Sequence, residues 1–301
     1  MLAIRPGGPD AAAAARNTND VVGQLRAVSD ACKVILANAL PQQMPTAPPV
    51  SDTLKAVEEA LVDSYAALGN NYVFVQEVAR DLIQAAEAMR RGVPQSIVGY
   101  ANLFLPLSDL ILKWLEQART EGSHPDLVAA ARDVIVQLVA QADQMAGTIN
   151  EQSTRIGEIG SALQKAHDGL AAATALVQQR FDALAAWEQS GEGQSRLFLD
   201  KQFMLGFNGE LTRSLDAQTV FVTSAVNLAR GTDTESATGL SAITDARTLW
   251  GAFADILHQL ADDLGKAEAD LNLLIEEVWV RAAQGEWADL RTMAQGIVDQ
   301  G

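Results

Sequence analysis

From Val128 the chain sets small or apolar residues at alternating steps of three and four: Ala131, Ile135, Leu138, Ala142, Met145, Ile149, Ile156, Ile159, Leu163, Ala166, Leu170, Ala173, Val177, Leu184 and Trp187. Only Gln152 and Arg180 interrupt the series. A 3.5-residue repeat held this long predicts one continuous helix with a narrow seam turned toward partner helices, as in a coiled coil. Some sixty residues at about 1.5 Å each would span roughly 90 Å, so the pattern predicts an elongated molecule. "SHPDLV" supplies a start, with Ser123 as cap, Pro125 in the first turn and Asp126 three residues after the cap.

A second series, Ile243, Ala246, Trp250, Phe253, Leu257, Leu260, Leu264, Ala267, Leu271, Leu274 and Val278, predicts a long helix returning antiparallel to the first. Ahead of it "LTRSLDAQTVFVTSAVNLA" has helical spacing, and "RGTDTESATG" marks a loop or kink. Nearer the start, residues 19–40 read as a helix, followed by a semi-rigid Pro-rich linker, "PQQMPTAPPVSD". Ser51 or Asp52 then caps a helix through Leu54, Val57, Leu61, Leu68, Val78, Leu82 and Ala85, with "RRGVPQ" as its stop. The predicted organisation is an N-terminal helix and linker over 1–50, then a helical bundle over 51–301. The fold class is all-α: an elongated antiparallel bundle of about five helices, two of them very long coiled-coil helices.

Two stretches are more apolar than a narrow seam requires. One is "LFLDKQFMLGFNG", Leu197 to Gly209, lying between the two long periodic series. The other is "SIVGYANLFLPLSDLILKWLEQ", which holds Ile97, Val98, Tyr100, Leu103, Phe104, Leu105 and Leu107. Pro106, Asp109 and Lys113 break the second well short of the eighteen or more apolar residues of a stable spanning helix. No constitutive transmembrane segment is expected.

Composition narrows the picture further. Hydrophobic residues make up 48 % of the 301, enough for a folded core, while aromatics at 5 % and abundant alanine favour helices packed on helices over sheet. A net charge of −16 argues against nucleic acid as a partner, because binding a polyanion depends on cations replacing counterions. The one cysteine, Cys32, excludes an internal disulfide and falls in the apolar series Val21, Leu25, Val28, Cys32, Ile35, where it reads as a small core residue. "MLAIRPGGPDAAAAARN" has Pro and Gly where a signal peptide needs an apolar core, so release without that signal is the expectation.

Catalytic and cofactor chemistry finds little footing. His124, His167 and His258 are far apart, and with a single Cys no zinc-ligand spacing arises. Asp262 with Asp263, and Glu276 with Glu277, read as solvated helix faces. "SGEGQS" lacks the lysine and the strand of a phosphate loop. No cofactor, no metal and no enzyme activity are expected.

Three stretches, "VAQADQMAGTINEQSTRIGEI", "AITDARTLWGAFADILHQLADDL" and "GEWADLRTMAQGIV", together with the two long helical patterns, resemble the α-helical pore-forming toxins. That group includes haemolysin BL and non-haemolytic enterotoxin components, xenorhabdolysin-type toxins and helical insecticidal crystal proteins. The resemblance covers about half of the chain. It implies a soluble monomer that exposes an apolar head and oligomerises at a target-cell membrane, as a homo-oligomer or with a partner toxin component. On that analogy Leu197, Phe198, Leu199, Phe203, Met204, Leu205 and Phe207 would insert, with Gly206 and Gly209 as hinges. Family members carry a longer Gly- and Ile-rich tongue at this turn, and Asp200 and Lys201 here oppose insertion. Either the protein is a partner component that does not fully span, or the Ile97 to Leu107 segment inserts. A non-toxic coiled-coil scaffold or adaptor is the competing class.

Overall fold

A computed structural model describes residues 11–38, 52–121, 124–189, 198–230, 239–264 and 270–300. Among these the protein is all-α, with six helices and no strand. They are α1 (Ala11–Ala37), α2 (Asp52–Thr120), α3 (Pro125–Gln189), α4 (Phe198–Arg230), α5 (Gly239–Leu264) and α6 (Asp270–Asp299).

The 65-residue α3 follows from its seam. Ala131, Ile135, Leu138, Ala142, Ile149 and Ile156 are all buried at the predicted positions. Gln152, the polar interruption, is half-buried, and a Cβ at Gly92 would sit 3.8 Å from its amide. Beyond Ile156 the buried stripe widens by one position per heptad, taking in Gly160, His167, Thr174 and Phe181, while Arg180 points to solvent. An unsupercoiled helix drifts relative to a strict heptad, and here the seam moves with that drift. The helix begins one residue later than its capping motif predicts. The His124 carbonyl accepts from the Leu127 and Val128 amides at 3.0 and 3.3 Å, which puts Pro125 at the first helical position. Ser123 lies outside the described residues.

Four further expectations are corrected. α1 opens at Ala11 rather than near Asn19, with Val21, Leu25, Val28, Cys32 and Ile35 buried as their spacing predicts. "RRGVPQ" does not stop α2, which runs 69 residues with Pro94 and Pro106 inside it. A helix-interior proline removes one backbone bond and costs about 3 kcal/mol. Around Pro94 that loss is offset by burial of Met89, Val93, Ile97, Tyr100 and Phe104 on the same helix. The returning series falls in two helices, α5 and α6, rather than one, with Ala267 outside the described residues. The apolar stretch after residue 197 is not a separate element at a turn: from Phe198 it forms the opening of α4.

The chain divides into two compact units. Unit 1 holds α1 up to Arg26, Glu87–Arg155 of α2 and α3, and α5 with α6. Unit 2 holds the rest of α1, α2 up to Ala86, α3 from Ile156, and α4. The division therefore does not follow the boundary at residue 50, because α2 and α3 each contribute to both units.

Candidate functional site

The two apolar stretches meet different fates. Ile97, Tyr100 and Phe104 are 4 %, 3 % and 2 % exposed, at the centre of unit 1. Tyr100 and Phe104 join Phe253 of α5 and Trp287 of α6 in one aromatic cluster. The Trp287 ring lies 4.7 Å from Tyr100, 5.0 Å from Phe253 and 5.9 Å from Phe104, centroid to centroid. Tyr100 meets Phe253 edge-on at 5.5 Å, the arrangement that ring quadrupoles favour. The Tyr100 hydroxyl donates to the Leu138 carbonyl of α3 at 3.3 Å, and burial pushes its pKa up. Val98, Leu105 and Leu107 are half-buried, and Leu103 is exposed. Three helices beside α2 thus cover this segment, through Tyr100 and Phe104.

The other stretch opens α4. Leu197 lies outside the described residues, as do the side chains of Phe198, Leu199, Phe203, Met204 and Phe207. Leu205 is 53 % exposed. Gly206 and Gly209 are helical and exposed, and a Cβ at either would meet nothing within 4 Å. Neither glycine answers to a close approach. Each costs the helix about 1 kcal/mol relative to alanine, so this opening is intrinsically weak.

Further along, α4 buries Asn208, Leu211, Gln218, Val222, Ala225, Val226 and Ala229 along one face. The Tyr65 hydroxyl of α2 donates to Asn208 Oδ1 at 3.0 Å, and burial pushes the phenol up to about 12. Asn208 Nδ2 and both amide atoms of Gln218 have no hydrogen-bond partner among the described residues. A buried polar group left unpaired costs about 1–3 kcal/mol. Thr219 Oγ1 lies 3.2 Å from His167 Nε2, and burial lowers the His167 pKa against the smaller opposing pull of Asp168. Near the end of the seam α3 and α4 approach so closely that a Cβ at Gly160 would stand 2.8 Å from the Ala229 Cβ. Helical spacing over Leu211 to Ala229 was readable in the sequence; the burial of Asn208 and Gln218 was not singled out.

Polar links in unit 1 are structural. Arg119 Nε reaches Glu277 Oε1 at 3.0 Å, with the Glu277 side chain 5 % exposed, and Gln284 donates to Asp109 at 2.7 Å. Both tie α2 to α6, so Glu277 is not the solvated face expected for it. His258 lies 3.3 Å from Asp143 on the surface. A cleft of about 290 Å³ is lined by Arg90, Arg91, Pro94, Gln95, Ile297 and Val298. Arg90 already bonds Glu87 at 2.9 Å, and Ile297 and Val298 belong to the last turn of α6, whose carbonyl end attracts cations. The Arg90 guanidinium is thus already paired within α2.

Among the described residues no group of three His, Cys, Asp or Glu could hold a metal ion, and no helix is long and apolar enough to cross a membrane. Neither family models nor curated proteins match the chain.

Proposed function

We propose that the protein is an α-helical pore-forming toxin or toxin component whose membrane-contacting element is the opening of α4. One observation carries this reading. Between Phe198 and Phe207 apolar residues fall at positions all round the helix, and Leu205 is 53 % exposed. A helix that is apolar on every side requires an apolar environment on every side, which a core, a partner or a lipid layer supplies. The Ile97 to Leu107 segment is the weaker candidate, because Tyr100 and Phe104 would have to leave an aromatic core to reach lipid. Transferring seven apolar side chains at about 1.5–3 kcal/mol each would contribute on the order of 10–20 kcal/mol before ordering costs.

The acidic balance of the chain assigns recognition to apolar area, since anionic lipid repels a net charge of −16. Assembly, with itself or with a partner component, supplies the rest of any pore, because no single described helix spans. That same fact favours the second reading, a coiled-coil scaffold in which the α4 opening docks a helical partner.

Dye release from liposomes and from insect-cell membranes tests the proposal, alone and with the products of neighbouring genes. Leakage accompanied by a large oligomer is expected. The double variant Phe203→Asp with Phe207→Asp should abolish leakage while circular dichroism stays unchanged. Equal leakage from this folded variant would remove the α4 opening from the mechanism. An inert particle under every combination would leave the scaffold reading.

A further inference from the structure

The seam of α4 is incompletely satisfied by its neighbours. Of its seven inward positions, two are amides: Asn208, 6 % exposed, and Gln218, 1 % exposed. Only Asn208 Oδ1 finds a partner, the Tyr65 hydroxyl; the other three amide atoms have none among the described residues. The other five inward residues are Leu211, Val222, Ala225, Val226 and Ala229, with no aromatic among them and two that bury only a methyl side chain. Release of this helix would return its amides to water and surrender a small apolar surface. Gly206, just before the seam, and Gly209, between its first two inward positions, are exposed and helical and ease bending there.

We propose that the segment from Asn208 to Ala229 is a detachable strap, which leaves α2 and α3 as one cooperative unit well before the chain unfolds. Partial release of this kind is available to any region with few buried apolar contacts and unsatisfied polar groups. Its consequence for membranes rests on the function proposed above: strap release would free the helix that carries Phe203, Leu205 and Phe207.

Hydrogen exchange on the full chain, read by mass spectrometry, tests the strap itself. Amides of Asn208–Ala229 should exchange at least tenfold faster than those of Ile156–Val177 in α3, against which α4 packs. Gln218→Leu removes the unpaired amide and should slow α4 exchange about fivefold or more. A reversible lock adds a second variant: Gly160→Cys with Ala229→Cys, in a Cys32→Ala background. The Cβ atoms there would stand 2.8 Å apart, against about 3.5 Å at the short end for a disulfide, so the helices need to part by under 1 Å. Oxidation should slow α4 exchange tenfold or more, and reduction should restore it.

Dye release on the same samples separates the two ideas. Leakage blocked by oxidation and regained on reduction supports both. Fast α4 exchange with no leakage from any form supports the strap and overturns the membrane reading. Fast exchange with leakage indifferent to the lock overturns the link between them. Exchange in α4 as slow as in α3, unaltered by Gln218→Leu, overturns the strap.

Discussion

The core of unit 1 and the α4 seam of unit 2 are built from the same element, an amphipathic helix, yet to opposite standards of completion. In unit 1 Tyr100, Phe104, Phe253 and Trp287 fill the space between α2, α5 and α6, and the Tyr100 hydroxyl finds a carbonyl acceptor. Along α4, Leu, Val and Ala are buried beside two amides, three of whose four polar atoms have no partner among the described residues. Large, fully packed side chains give one well-determined arrangement; small ones with unpaired amides give a contact that is easily left. Stability within a chain is distributed unevenly, and this contrast says where the low end lies.

The comparison breaks most visibly at Trp287. Trp287→Ala should destabilise unit 1 by about 3–5 kcal/mol, seen as a lower urea midpoint, with near-ultraviolet dichroism reporting loss of the cluster. An effect under 1 kcal/mol would mean that the aromatic cluster is as loosely held as the α4 seam. A smaller loss is expected at the closest helix approach in unit 2. Gly160→Val places a branched side chain where even a Cβ would stand 2.8 Å from Ala229, and should cost about 1–3 kcal/mol. Gln218→Leu sharpens the contrast with the opposite sign. It replaces an unpaired buried amide by an apolar group of similar length and should stabilise by about 1 kcal/mol in urea denaturation.

The smallest effect concerns pH. Burial lowers the folded pKa of His167 below its ordinary 6.5, Asp168 opposing in part. The native state then binds fewer protons at this site than the unfolded chain, so unfolding free energy rises with pH across the window. The stability associated with neutral His167 is present above about pH 6.5 and is lost as the pH falls below it toward the folded value. His167→Gln should flatten the decline in urea midpoint between pH 7 and pH 5. An unchanged slope in the variant would assign the decline to other groups.

How much of this was legible beforehand follows from what each signal measures. Helical periodicity reports a helix and its buried face, and on that basis the seam of α3, the α1 series ending at Ile35 and the all-α class could be read directly. Periodicity does not report where a helix stops. Pro94 looked like a terminator because a proline removes a local bond, but the deciding quantity was non-local, the burial of Tyr100 and Phe104 against Phe253 and Trp287. The returning series looked like one helix, whereas its described residues belong to two, α5 and α6. The apolar opening of α4 stood out by composition, while its place as the first turns of a helix did not, because Asp200, Lys201, Gly206 and Gly209 obscure its period. Glu277 looked solvated for a related reason: its partner, Arg119, is 158 residues away in sequence.

The central claim is that the α4 opening, and not the Ile97 to Leu107 segment, meets the membrane. Hydrogen exchange of the full chain with and without liposomes compares the two stretches in one experiment. The account predicts that liposomes protect peptides covering Leu199–Phe207 while those covering Ile97–Leu107 keep the slow exchange of a packed core. Protection appearing over Ile97–Leu107, or no change anywhere at saturating lipid, would contradict it.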